Sequence, residues 1–340
     1  MFCNGFLVSK MDEAKLTPFL EHQVKEKLFS AYQFSASENG MKIVSGFGGT
    51  ISFKSDQVID NTTVFDIASI TKVVLTVPLF YNLIHKKELH PDYMVSKFFN
   101  SISDSVTLFE LIDHSSGYPA WIPFYDEIDS ILSIEERKSE AVRIISEMKR
   151  EKGDRIYSDI NYIMLGLILE KIHGKPLDAI FSEFLIENGI KTGICFNPKN
   201  AVPLTSYSTL RKNYPDKTVE DENSFFLGGK TAHAGLFASA KETVNYFEQL
   251  LAKEWFRKVS LNLNFAGFDK PEGNNSNYGT NPDPENQIGH LGFTGTAILI
   301  DLKKEKIAAL FTNATHPSAE KVDRKERIKK VRQHFFDLLT

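Results

Sequence analysis

The sequence predicts an α+β protein: an antiparallel sheet built from both ends of the chain and flanked by helices, with a mainly helical lobe inserted between them. Three observations lead there. Strand-like runs occur early, at residues 29–36 and 41–53, and strand character returns only late, at 295–301 and 306–313. Between them the chain is charged and helical in pattern, with Gly and Pro acting as breakers. With 340 residues and 42% hydrophobic content, it can bury a core large enough for two lobes. The expected partition is 1–85 with 235–340 as the sheet lobe and 86–234 as the helical lobe, forming one domain with its site at the junction.

Taken in order, Leu20, Val24 and Leu28 at four-residue steps predict a short amphipathic helix. A Glu38-Asn39-Gly40 turn then joins the first two strands. The apolar run from Val73 to Leu83 predicts a buried helix that begins near Ser69, and residues 135–150 and 162–172 carry the clearest helical patterns of the middle segment. Residues 267–289, rich in Gly, Asn, Asp and Pro, predict a long loop forming a wall or lid of the cleft. The two late strands flank Leu302-Lys303-Lys304-Glu305 as a hairpin. Ile328, Val331, Phe335 and Leu338 predict a terminal helix, with the basic run 321–332 as its solvated face.

The chemistry begins at Phe65-Asp66-Ile67-Ala68-Ser69-Ile70-Thr71-Lys72. Residues i and i+3 of a helix share a face, so the Ser69 hydroxyl and the Lys72 ammonium come within hydrogen-bonding reach. A neighbouring basic group is what makes serine a nucleophile, and a helix N-terminus presents free N–H groups to an oxyanion. Alone, such a pair usually means an N-cap followed by a solvated lysine. Two later segments add to it: Tyr157-Ser158-Asp159-Ile160-Asn161-Tyr162, before an apolar helix, and His290-Leu291-Gly292-Phe293-Thr294-Gly295, entering the first late strand.

Ser69-x-x-Lys72, Tyr157-x-Asp159 and His290-x-Gly292, in this order, resemble the three motifs of the serine β-lactamase and penicillin-binding-protein superfamily, in its class C-like branch. Leu111 to Gly117, His233 to Phe237 and Leu310 to Pro317 resemble the same branch, so the likeness spans nearly the whole chain from Phe29. It implies a β-lactamase/DD-peptidase-like fold and an acyl-enzyme on Ser69, with Lys72 as its partner in proton transfer and Tyr157 as the relay to the leaving group. It further implies an oxyanion hole from the N–H groups of Ser69 and Phe293, close approach of substrate at Gly292, and no metal or cofactor. A phenol of reference pKa ~10 serves as a base only if a cation such as Lys72 lowers it.

Two departures shape the expected activity. The family's second motif commonly ends in Asn, an amide donor; Asp159 cannot donate while ionised, and it favours a charged Lys72, shifting the base role toward Tyr157. The third motif carries His290 where β-lactamases hold a carboxylate with lysine. Both argue against efficient β-lactam hydrolysis. The segments Asp221-Glu222-Asn223, His233-Ala234-Gly235-Leu236-Phe237 and 289–296 resemble serine amidases of cell-wall recycling, which cut between N-acetylmuramic acid and L-alanine. The expected substrate is therefore a muropeptide amide or a related small acyl compound. The alternatives are a short-chain carboxylesterase, a D-Ala-D-Ala carboxypeptidase or weak β-lactamase, and a non-catalytic penicillin-recognising sensor. His114 and His233, in Gly-flanked turns, are expected to fix loops.

The formal charge of −4 gives no global attraction for nucleic acid, and no such partner is expected. Cys3 and Cys195 lie far apart and predict no disulfide. His85 and His90 lack zinc-type spacing, and Gly46 to Gly49 is followed by no Lys-Ser/Thr pair of a phosphate loop. The first ten residues lack the n- and h-regions of a signal peptide, and no apolar run approaching eighteen residues is evident. A cytoplasmic protein without membrane attachment is expected, its oligomeric state left open.

Overall fold

A computed structural model describes residues 4–102, 106–151, 153–273, 276–320 and 322–339, with side chains from residue 13 onward. Cys3 lies outside the described residues. The chain begins with helix α1 (Asn4–Lys25), strands β1 (Ala31–Glu38) and β2 (Met41–Gly49), and the short strand β3 (Phe65–Asp66). A 3-10 turn (Ala68–Ile70) and a π-helical turn (Lys72–Thr76) run directly into α2 (Val77–His85). The helical stretch follows as α3 (Leu108–Ile112), α4 (Phe124–Glu127), α5 (Ile134–Glu147), α6 (Asp159–His173), α7 (Leu177–Glu187) and α8 (Glu222–Phe226). Then come β4 (Phe237–Ala238), α9 (Ala240–Leu251), α10 (Glu254–Asn262), strands β5 (Gln287–Leu291), β6 (Ala297–Asp301) and β7 (Lys306–Thr312), and α11 (Arg324–Leu339).

Five strands form an antiparallel sheet in the order β2-β1-β7-β6-β5, so the first and last parts of the chain meet between β1 and β7. The alternation of side chains along β6 and β7 sorts the two faces. Ala297, Leu299, Ala308 and Leu310 face a core closed by Leu16 and Leu20 of α1 and by Ile328, Val331 and Phe335 of α11. Ile298, Ile300, Ile307, Ala309 and Phe311 face the larger core shared with α2, α6 and α9. Asn313, just past β7, locks the junction of the chain's two halves: its Oδ1 accepts from the N–H groups of Ser30 and Ala31, each at 3.0 Å.

The structure corrects several expectations. Leu28 is buried but lies beyond α1, which ends when Lys27 turns left-handed (φ 54°) and the Leu28 N–H bonds back to Gln23. The second strand stops at Gly49 rather than Phe53, because the chain turns there at φ 91° and a Cβ would lie 2.0 Å from the Ser30 carbonyl oxygen. The 267–289 segment is not all loop: its end enters β5, the edge strand on which His290 sits, separate from β6. The stretch Ala68–His85 reaches eighteen residues of membrane-compatible apolarity, contrary to the sequence reading, and most of it is buried inside the protein.

Candidate active site

Ser69 sits in the first turn of the central helix, where the leading N–H groups have no intrahelical partner. The turn is reached through Ala68, held at φ 47°, a conformation costing a residue with a Cβ roughly 1 kcal/mol. One turn on, Lys72 is fully buried, and its Nζ donates to Ser69 Oγ at 3.0 Å, to Asp159 Oδ1 at 2.7 Å and to the His233 carbonyl at 3.1 Å. Three acceptors exhaust the ammonium's three protons. The π-helical turn that begins at Lys72 widens the helix where this buried charge is housed.

Asp159 is the first residue of α6, where the positive end of the helix dipole favours a carboxylate, and Ser158 caps the helix through the Asn161 N–H. Tyr157, just before the cap, lies over the site: the Lys72 Nζ is 5.0 Å from its ring centroid, close enough for the ammonium and Ser69 to act on the phenol. His114 holds this loop as the sequence predicts, accepting the Ser158 N–H on Nδ1 at 3.0 Å, with its ring 4.6 Å from Tyr157 and 5.0 Å from Tyr162. Burial lowers the His114 pKa to about 2, so it stays neutral.

The electrostatics fix the resting protons. Burial by itself pushes the Lys72 ammonium down, but Asp159 and then Tyr157 outweigh it and hold the lysine well above its usual range. Burial likewise raises the Tyr157 phenol; Lys72 pulls it back only in part, and Asp159 adds to the rise. Lys72 thus lowers the phenol as expected, but not below its ordinary value, and both groups hold their protons at rest. Because 42% of Tyr157 is exposed, water in the open cleft relieves part of its desolvation, which a bound substrate would restore.

His290 stands across the cleft, its ring 6.0 Å from that of Tyr157. Its Nδ1 is 2.9 Å from the Leu291 carbonyl, which can only accept, so Nδ1 carries the proton and the buried, unpartnered Nε2 is an acceptor. Burial pushes its pKa down, with Asp269 opposing and Lys72 adding, so His290 is neutral rather than the partly charged group expected. Gly292 lets the following turn close on the segment leading to Ser69: a Cβ there would lie 1.9 Å from Thr296 Oγ1 and 2.7 Å from the Ile67 carbonyl oxygen. Phe293, half-exposed, follows at the cleft mouth.

Ser69, Tyr157, Asp159, His290, Gly292 and Phe293 line one cleft of about 730 Å³, together with groups the sequence did not single out: Trp121, Glu220, Asp269, Arg324 and Arg332. The basic run is not only a solvated face. Arg324 and Arg332, eight residues apart on α11, are buried; Arg332 donates to the Gly292 and Thr296 carbonyls at 3.2 and 3.1 Å, and Arg324 stacks on Phe293 with its guanidinium 5.0 Å from the ring centroid. Burial lowers Arg332 to about 10. Beneath Ser69, burial raises Asp66 to about 6, against backbone hydrogen bonds from Glu220 and Ala68, and raises Glu220 to about 8. The period-four spacing of Arg324, Ile328 and Arg332 was the available signal for the inward arginines; for Asp66 there was none beyond its place before the helix.

Known proteins resemble the chain over most of its length. The family model described as Beta-lactamase matches residues 19–333. An N-acetylmuramyl-L-alanine amidase of Bacillus subtilis (strain 168) is 26% identical over 304 residues, covering 75% of this chain and 68% of the relative. A protein of Escherichia coli (strain K12) named "Putative D-alanyl-D-alanine carboxypeptidase" is 25% identical over 319 residues, covering 79% and 73%. Among solved structures, a penicillin-binding-protein homologue from Caulobacter crescentus superposes with a TM-score of 0.71 at 16% identity, covering 98% of each chain. A class C β-lactamase from Rhodobacter sphaeroides gives 0.68 at 16% identity, covering 95% of this chain and 98% of the other. Matched along most of its length, the chain belongs to the beta-lactamase family and is a serine hydrolase.

Proposed function

We propose that the protein cleaves an amide bond in a cell-wall peptide fragment through an acyl-enzyme on Ser69. The observation that carries this reading is the contact of Ser69 Oγ and Asp159 with the buried Lys72 Nζ beneath the Tyr157 ring. With both partners protonated at rest, the phenol acts as a relay. As Ser69 Oγ bonds to the carbonyl carbon, its proton passes to Tyr157 Oη while the phenol's own proton passes to the leaving nitrogen, and the C–N bond breaks. The Lys72 ammonium stabilises the charge that develops on the phenol oxygen, and the N–H groups of Ser69 and Phe293 receive the carbonyl oxyanion. Water then hydrolyses the ester by the reverse relay.

The two named relatives point to the substrate class, since one is named for muramyl-alanine amide cleavage and the other for D-alanyl-D-alanine cleavage. A carboxylesterase is the second reading: a site lacking a free base at rest suits a leaving group that departs easily, and the Asp159–Lys72 pair is what creates that condition. The test is one mass-spectrometric assay of wild type and Ser69→Ala with muramoyl dipeptide, a D-Ala-D-Ala pentapeptide, a penicillin and a short-chain ester. Cleavage of a peptide amide that Ser69→Ala reduces by at least about a thousandfold supports the proposal. Turnover of the ester alone favours the second reading, and turnover that survives Ser69→Ala overturns both.

A further inference from the structure

The geometry points to Asp66 as a positioning residue that holds the nucleophile turn and the oxyanion turn in register through one buried side chain and its own backbone. The inference rests on Ser69 being the nucleophile. Asp66 is buried at the end of β3, three residues before Ser69. Its Oδ1 accepts the Ala68 N–H at 2.8 Å, so the carboxylate grips the residue whose backbone is turned to φ 47° immediately ahead of the serine. Its Oδ2 accepts the Glu220 N–H at 2.6 Å, which fixes the cleft wall that continues into Asp221. That wall returns to the site: Asp221 Oδ1 lies 3.0 Å from His233 Nε2, and the His233 carbonyl is one of the three acceptors around Lys72.

The third tie runs the other way. The Asp66 carbonyl accepts the Thr294 hydroxyl at 2.8 Å, and the Ile67 carbonyl accepts that of Thr296 at 3.2 Å. Phe293 sits between Gly292 and Thr294, so the two amides proposed to form the oxyanion hole, on Ser69 and Phe293, are each within a few bonds of a group held by Asp66. A carboxylate is required because both of its oxygens accept. An asparagine of the same shape has one acceptor and would set its –NH2 against a second N–H donor. Loss of the clamp frees Ala68 to relax toward negative φ, which turns the Ser69 amide away from the oxyanion position.

The experiment measures covalent labelling of the whole protein by a small dialkyl fluorophosphate, followed by intact mass over time. In this reaction Ser69 Oγ bonds to phosphorus, its proton passes to Tyr157 Oη while the phenol's own proton leaves with the fluoride, and the phosphoryl oxygen occupies the oxyanion hole. No adduct at Ser69 in wild type, checked against Ser69→Ala, would overturn the nucleophile assignment and this inference with it. With wild type labelled, Asp66→Asn is expected to reach the same final labelled fraction about a hundredfold more slowly, the scale of a lost oxyanion donor. A rate within about threefold of wild type, or a normal rate with a reduced labelled fraction, would show a merely structural role and overturn the inference. Thr294→Val severs the third tie with little change of shape and decides the matter if Asp66→Asn does not fold: about tenfold slower labelling supports the clamp and an unchanged rate overturns it.

Discussion

At the scale of single residues, the charge state of Lys72 is set by a competition, and one atom on Asp159 decides it. Burial pushes the ammonium down and Asp159 more than reverses this, so Asp159→Asn should let Lys72 titrate at lower pH. A larger neutral fraction at alkaline pH then removes the ammonium that steadies the developing phenolate. The descending limb of kcat/KM against pH is expected to move to lower pH by about one unit or more, read from initial rates on a substrate turned over in the assay above. An unmoved limb would show that the proton on Lys72 does not enter the rate. Much of this was legible in the sequence, because Ser69, Lys72, Tyr157 and Asp159 stand in recognisable spacings. What was not legible was the direction of the Tyr157 shift, since burial depends on residues from distant segments that no local pattern reports.

Among the elements, the site is a meeting of two turns, one before α2 and one between β5 and β6, pressed together with no room for a methyl group. Gly292→Ala is therefore expected to force Thr296 and the Ile67 carbonyl apart. Urea unfolding should show a loss of about 1–3 kcal/mol, and turnover should nearly vanish, because Ile67 leads directly into Ala68 and Ser69. A variant that loses stability but keeps its rate would sever the link between that approach and catalysis. The strands of the hairpin and the helices 135–150 and 162–172 announced themselves through periodicity, and α5 and α6 lie there. The two-residue strands β3 and β4 did not, since so short a pairing leaves no period to read, and β5 was hidden at the end of a loop-like composition.

For the molecule as a whole, the sheet divides a support core, closed by α1 and α11, from the larger core that carries Lys72. Leu20 lies fully buried in the support core. Leu20→Ala should cost about 2–5 kcal/mol in chemical unfolding, with the rate per folded molecule unchanged; a fallen rate would mean that the support core also tunes the site. The joining of both chain ends in one sheet was predictable from where strand character recurs, whereas the inward arginines of α11 were masked by surrounding lysines that suggest a wet surface. Those arginines carry a consequence for biosynthesis. The turn that faces Ser69 is fastened by Arg332, some 260 positions downstream by simple numbering, so a growing chain exposes its serine long before anything can hold the opposing wall. The wall opposite Ser69 is therefore complete only once Arg324–Leu339 has been made and has docked.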